Sequence, residues 1–176
     1  NAVEVNRTFY GIPSHSTVRT WRGSVPSGFI FAVKMPRQIT HEPDLTSSAP
    51  ELPSFLSAVS ELGGSLGAVL IQIPPWFGPD RLPELSQWMS NLPVSETRFF
   101  LEACAPALHG PGYGSGLFES LERAGVGAVT TNLIARPGDI SISPSLQAGY
   151  PRVGQAASPR RSAPSDDGAA VQGWLL

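Results

Sequence analysis

The sequence predicts an α/β fold with a parallel sheet, and three observations lead there. Strand-like and helix-like segments alternate strictly, as in chains built from strand-helix-strand units. Ala68 to Ile73 (AVLIQI) is an almost unbroken apolar run, the pattern of a strand covered on both faces. Proline and glycine punctuate the segment ends, Pro74-Pro75 after that strand and Gly63-Gly64 before it. Such alternation fits either an open sheet or part of a (β/α)8 barrel. A full barrel takes about 250 residues, so a chain of 176 residues falls short of eight complete units.

Taken in order, Ala2 to Val5 is the first strand, and Ser14 precedes a short helix carrying Val18 and Trp21. Phe29 to Lys34 (FIFAVK), between Pro26-Ser27-Gly28 and Pro36, is the clearest strand. Leu52, Phe55, Leu56, Val59 and Leu62 fall at helical spacing, with Pro53 in the first turn where proline is tolerated. After the apolar third strand, Leu82, Leu85, Trp88, Met89 and Leu92 mark the next helix, and Arg98 to Glu102 the fourth strand. Leu117, Phe118 and Leu121 form a helix stopped near Gly125, and a fifth strand follows over Val126 to Thr130.

Composition removes several classes of function. Twelve basic residues against fourteen acidic ones, a formal charge of −2, provide no general field for nucleic acid, although a local patch stays possible. One cysteine, Cys104, precludes an intramolecular disulfide and fits a reducing compartment, so a cytoplasmic location is expected. No apolar run is long enough to cross a membrane, so no membrane partner is expected. His15, His41 and His109 lack the spacing of a metal site, and neither a GxGxxG nor a phosphate-binding loop with its lysine is present. No metal or cofactor is therefore expected. The run from Pro144 onward is rich in Ser, Ala, Pro, Gly and Arg, which predicts a domain over 1–143 and a low-complexity, disordered tail over 144–176.

The order of motifs resembles the YecE-like proteins, also called domain of unknown function 72. The matching stretches are AVEVNRTFYGIP (2–13), FIFAVKMPRQITH (29–41), LGAVLIQIPPWF (66–77) and RFFLEA (98–103). They cover about the first 130 residues in the family's order and spacing. The resemblance implies a partial TIM-type barrel of five to six parallel strands, these being strands two to six. It further implies that the family's first strand is missing, and that the chain diverges or is frameshifted after about residue 132. The family's Glu-x-Arg-His after the fourth strand is here Glu102-Ala103-Cys104-Ala105, which retains the acid and loses its basic neighbours.

Within such a barrel, alternate residues of each strand point inward, and active sites form at the C-terminal strand ends. Glu4 and Asn6 then share the inner face of the first strand, Lys34 points inward from the second, Gln72 from the third and Glu102 from the fourth. One reading makes Glu4 and Glu102 acid and base, Lys34 an electrostatic stabiliser or anion hook, and Asn6 and Gln72 ligand hydrogen-bond partners. The other is a self-satisfied Glu-Lys-Glu network with no chemistry. Arg37 and His41, in a loop after the second strand, are candidates for holding an anion and for titration near neutrality. Tyr10, with Phe9, Trp76 and Phe77, forms either a stacking wall or packing beneath the loops. Cys104, next to a carboxylate, reads as an ordinary buried thiol.

The functional expectation is acid-base chemistry on a small polar, phosphorylated or carbohydrate ligand. The alternatives are a nucleic-acid-binding or repair-associated barrel, with a basic rim of Arg7, Arg19, Arg22, Lys34 and Arg37, and an inactive fragment.

Overall fold

In the computed structural model, residues 1–45, 50–109 and 113–129 are described. Five parallel strands form one sheet in the order β1-β2-β3-β4-β5. They are β1 (Ala2–Val5), β2 (Ile30–Lys34), β3 (Leu66–Ile73), β4 (Phe99–Ala103) and β5 (Gly127–Ala128). Between them lie α1 (His15–Gly23), α2 (Arg37–Thr40), α3 (Glu51–Val59), α4 (Leu82–Met89) and α5 (Tyr113–Ala124). Sequential strand order with helical crossovers is the winding of a partial barrel. The fifth strand's predicted end at Thr130, the Gly-rich stretch 110–112 and the tail expected over 144–176 lie outside the described residues.

Burial follows a two-residue period through β4 and from Val69 onward in β3, while β2 is buried across Phe31, Ala32 and Val33 and β1 is partly buried throughout. Phe31 and Val33 of β2, Val69, Ile71 and Ile73 of β3, and Phe99, Leu101 and Ala103 of β4 are buried in one cluster. Val18, Phe55, Val59, Leu85, Met89, Leu117 and Leu121 enter the same cluster from the helices. Full burial of one such large side chain is worth about 1.5–3 kcal/mol, so this interface dominates the fold. The intervening residues, Lys34, Leu70, Gln72, Phe100 and Glu102, are half-buried on the other face.

Local chemistry sets the element ends. The Ser14 hydroxyl accepts from the Thr17 N–H and caps α1. At the far end of α5, Gly125 takes φ 68°, while Val126 N–H donates to the Leu121 carbonyl and Gly125 N–H to that of Glu122. This 6→1 and 5→2 pair closes the helix. Proline is accommodated in the first turns of α3 and α4.

The β2–β3 register contains one irregularity. Phe31 pairs with Leu66 but Ala32 with Ala68, so Gly67 is the extra residue of a bulge. A Cβ built on Gly67 runs into Cγ2 of Ile30, a branched side chain with little freedom to move. Gly67→Ala is therefore expected to destabilise the protein by about 1–3 kcal/mol, measured as a lowered denaturant midpoint, and an unchanged midpoint would refute the close approach.

Candidate functional site

The sheet register arranges the polar face in steps. Glu4 of β1 lies opposite Ala32, one pleat before Lys34. Lys34 lies opposite Leu70, one pleat before Gln72, and Gln72 lies directly opposite Glu102. Polar groups from four adjacent strands thus converge toward the C-terminal ends of the strands.

The converging groups are a bonded pair, a cation without an ion-pair partner among the described residues, and the Glu4 carboxyl. Gln72 Nε2 donates to Glu102 Oε2 at 2.9 Å, so Gln72 holds the carboxylate in place. Lys34 Nζ sits 5.3 Å from the centre of the Phe9 ring, a cation–π distance. Among the described residues no carboxylate is in ion-pair contact with it. The Glu-Lys-Glu network anticipated from the sequence is therefore coupled through its field and not through direct salt bridges. Burial raises the Glu4 carboxyl above the usual range, Lys34 opposes that shift and Glu102 reinforces it. Burial likewise raises the Cys104 thiol, with Glu102 adding to the shift and with Lys34 and a Gln72 hydrogen bond opposing it. A raised thiol is a poor nucleophile near neutrality.

Asn6 does not share the strand face with Glu4. The strand ends at Val5, and Asn6–Tyr10 turns into a 3-10 helix in which Asn6 is exposed. The cause is Thr8, buried to 1% exposure. Its hydroxyl donates to the Lys34 carbonyl at 2.6 Å and also lies 2.9 Å from that of Val5. This contact pulls the chain out of the strand and fastens it to the end of β2. The same turn places Phe9 under Lys34 and leaves Tyr10 edge-on to Phe9 at 5.5 Å, with 75% of Tyr10 exposed.

The segment with Arg37 and His41 is not a loop. Arg37–Thr40 forms the short helix α2 after Pro36, closed by the His41 N–H donating to the Arg37 carbonyl at 2.7 Å. His41 Nδ1 lies 2.8 Å from the Thr40 hydroxyl, and its ring meets Phe9 edge-on at 5.1 Å. Burial lowers its pKa, and the nearby Lys34 and Arg37 charges lower it further. The charged form of His41 is thus disfavoured, and its ring shares the Phe9 contact with Lys34, while Arg37 itself is exposed.

The aromatic set splits between the two expectations. Phe77 is fully buried, whereas Tyr10 and Trp76 are exposed. A recess of about 310 Å³ opens beside the Thr8 turn, with Arg7, Tyr10 and Thr17 among its walls. His15 is exposed and joins Arg19 on Glu61, at 3.1 and 2.9 Å. The side chain of His109 lies outside the described residues. Among the described residues, no group of three or more His, Cys, Asp or Glu side chains is placed to share a metal ion. Within the same residues, no helix is long and apolar enough to cross a membrane.

Sequence reasoning found the polar face because a period of two decides which residues share it. It missed Thr8 and the Phe9 contacts, which depend on a turn whose only local signal is a hydroxyl after a strand end.

Comparison with known proteins agrees with this architecture. The chain is 34% identical over 93 residues to the UPF0759 protein YecE of Escherichia coli, in strain K12 and in O157:H7. That stretch covers 53% of this chain and 34% of each relative, so it spans about a third of their length. Two crystal structures of a DUF72 family protein from Enterococcus faecalis V583 share the fold. One has a TM-score of 0.60 at 19% identity, covering 81% of this chain and 60% of the other. The second has a TM-score of 0.58 at 20% identity, covering 72% and 48%. A sequence profile of the family described as "Protein of unknown function DUF72" matches residues 1–174, running past residue 132. With the strand order, the polar face and that match in agreement, this chain belongs to the YecE-like DUF72 family.

Proposed function

We propose that the polar face binds a small anionic or phosphorylated polar molecule and supports acid-base chemistry on it. The observation that carries this reading is the state of Lys34. The residue is half-buried, and its ammonium lies over the Phe9 ring with no carboxylate in ion-pair contact among the described residues. An ammonium carries three donors, and a ligand oxygen is a fitting partner for them. Beside it, Glu4 has its pKa raised by burial, with Lys34 opposing and Glu102 reinforcing, which suits a proton donor. Glu102, fixed by Gln72, suits the complementary role of base. His41, whose Nδ1 is engaged with the Thr40 hydroxyl, offers a ligand its other ring nitrogen.

The nucleic-acid reading is less well supported. Of the basic rim it requires, Arg19 is paired with Glu61 at 2.9 Å, and Arg22 Nη1 lies 3.5 Å from the Glu61 carbonyl. Both sit on α1 and are engaged with the 3-10 segment Ser60–Ser65. The overall charge of −2 adds no attraction.

Two experiments test the proposal. In titrations with inorganic phosphate and malonate followed by NMR, Lys34→Ala is expected to weaken binding about tenfold, the loss of one charge-assisted contact of roughly 1.5 kcal/mol. Equal affinity of the wild type and the variant would remove the lysine from the site. The second experiment uses pH. Because the folded pKa of Glu4 lies above its unfolded value, its contribution to stability is complete in acid and is lost as pH rises through the folded pKa. Glu4→Gln is therefore expected to melt above the wild type at pH 7, with the gap closing below about pH 4. His41 has the opposite sign: stability falls as pH drops from about 6.5 toward its lowered folded value, and His41→Gln should flatten that slope. A wild-type melting curve without either pH dependence would contradict the assigned shifts.

A further inference from the structure

Three large hydrophobic side chains are exposed among the described residues, and the largest, Trp76, sits at the C-terminal exit of β3. The Phe77 N–H donates to the Pro74 carbonyl at 3.0 Å, closing a turn that buries Phe77 and leaves Trp76 54% exposed. Arg81 supports this turn. Its guanidinium lies 4.3 Å from the Phe77 ring centre and 5.6 Å from that of Trp76.

Arg81 is in turn fixed on three sides. Nε and Nη2 donate to the two carboxylate oxygens of Glu84 at 2.9 and 2.8 Å, and Nη2 also donates to the Pro43 carbonyl at 2.6 Å. Glu84 Oε1 accepts from the Leu45 N–H at 3.0 Å. The clamp thereby ties the segment that follows His41 to the segment that follows Gln72. Bidentate pairing of this kind fixes direction as well as distance.

We propose that Trp76 is the stacking plate of a carbohydrate subsite, taking the apolar C–H face of a pyranose whose polar or phosphorylated end lies toward Lys34. The proposal rests on the reading of Lys34 as an anion hook and adds a ring to the ligand. A rigid, solvent-facing indole loses little entropy when a flat partner lands on it. A pyranose pairs an apolar face with a rim of hydroxyls, and those hydroxyls match the Glu4 and Glu102 face. A nucleic-acid strand is a poorer match, because Arg81, the cation over the Trp76 ring, is already paired with Glu84 and is not free for a phosphate backbone. A protein partner would call for a wider apolar patch than one indole beside a buried phenylalanine.

The test compares glucose 6-phosphate with glycerol 3-phosphate, which carries the phosphate without the ring, by NMR titration and saturation transfer. The wild type is expected to bind the sugar phosphate more tightly. Trp76→Ala should weaken the sugar phosphate threefold to tenfold and leave glycerol 3-phosphate unchanged, Trp76→Phe should retain most of the affinity, and Lys34→Ala should weaken both ligands. If Trp76→Ala leaves the sugar phosphate within twofold of wild type, or weakens both ligands equally, the stacking subsite is overturned while the Lys34 site stands. Binding of neither ligand to the wild type overturns both. Binding of oligothymidylate, in place of the sugar, that is lost in Trp76→Ala would reassign the plate to nucleobases and overturn the carbohydrate.

Discussion

A parallel strand turns successive side chains to opposite faces, and here one face lies under helices while the other carries the charges. Phe31, Val33, Val69, Ile71, Phe99 and Leu101 are buried against Val18, Phe55, Leu85 and Leu121, which leaves Lys34, Gln72 and Glu102 no choice of side. A one-residue slip in β2 or β4 would bury Lys34 or Glu102 among hydrocarbon, at a penalty of several kcal/mol. The same register that assembles the core therefore assembles the candidate site. The bulge at Gly67 fits this account: the irregularity in β3 precedes Ala68, so the alternation from Ala68 onward stays in phase with β2.

Electrostatics on the polar face are a contest between desolvation and neighbouring charge. Lys34 is near enough to favour ionisation of Glu4, yet burial is the larger effect and raises its pKa. For His41, burial and the two cations act together, and the imidazole is driven toward its neutral form. The outcome is a lysine that, among the described residues, no carboxylate neutralises by ion-pair contact. Phe9 is central to that arrangement, since its ring meets Lys34, His41 and Tyr10. Thr8 is what fixes Phe9, through hydrogen bonding to the end of β2.

The helical layer has its own fasteners, and they separate structural charge from available charge. Arg19 is used on Glu61, and Arg81 on Glu84, Pro43 and two aromatic rings. The more exposed Arg19–Glu61 pair is worth only about 0–1 kcal/mol, so its importance lies more in orientation than in stability. Arg81, held by Glu84 and the Pro43 carbonyl, lies over the rings of Phe77 and Trp76 at the exit of β3.

The amino-acid sequence by itself determined the five-strand, alternating α/β order, the apolar faces of the helices, and which of Glu4, Lys34, Gln72 and Glu102 share a side. These follow from periodicity, and periodicity is a local property of the backbone. The sequence misplaced Asn6, because the strand's end depends on a Thr8 hydroxyl finding a carbonyl 26 residues away. It read Arg37–Thr40 as loop, because one helical turn is too short to show a period. It left open whether Lys34 was salt-bridged and whether the aromatics were wall or packing. Tertiary structure decided these points, since each depends on distances between side chains brought together only when separate strands and helices pack.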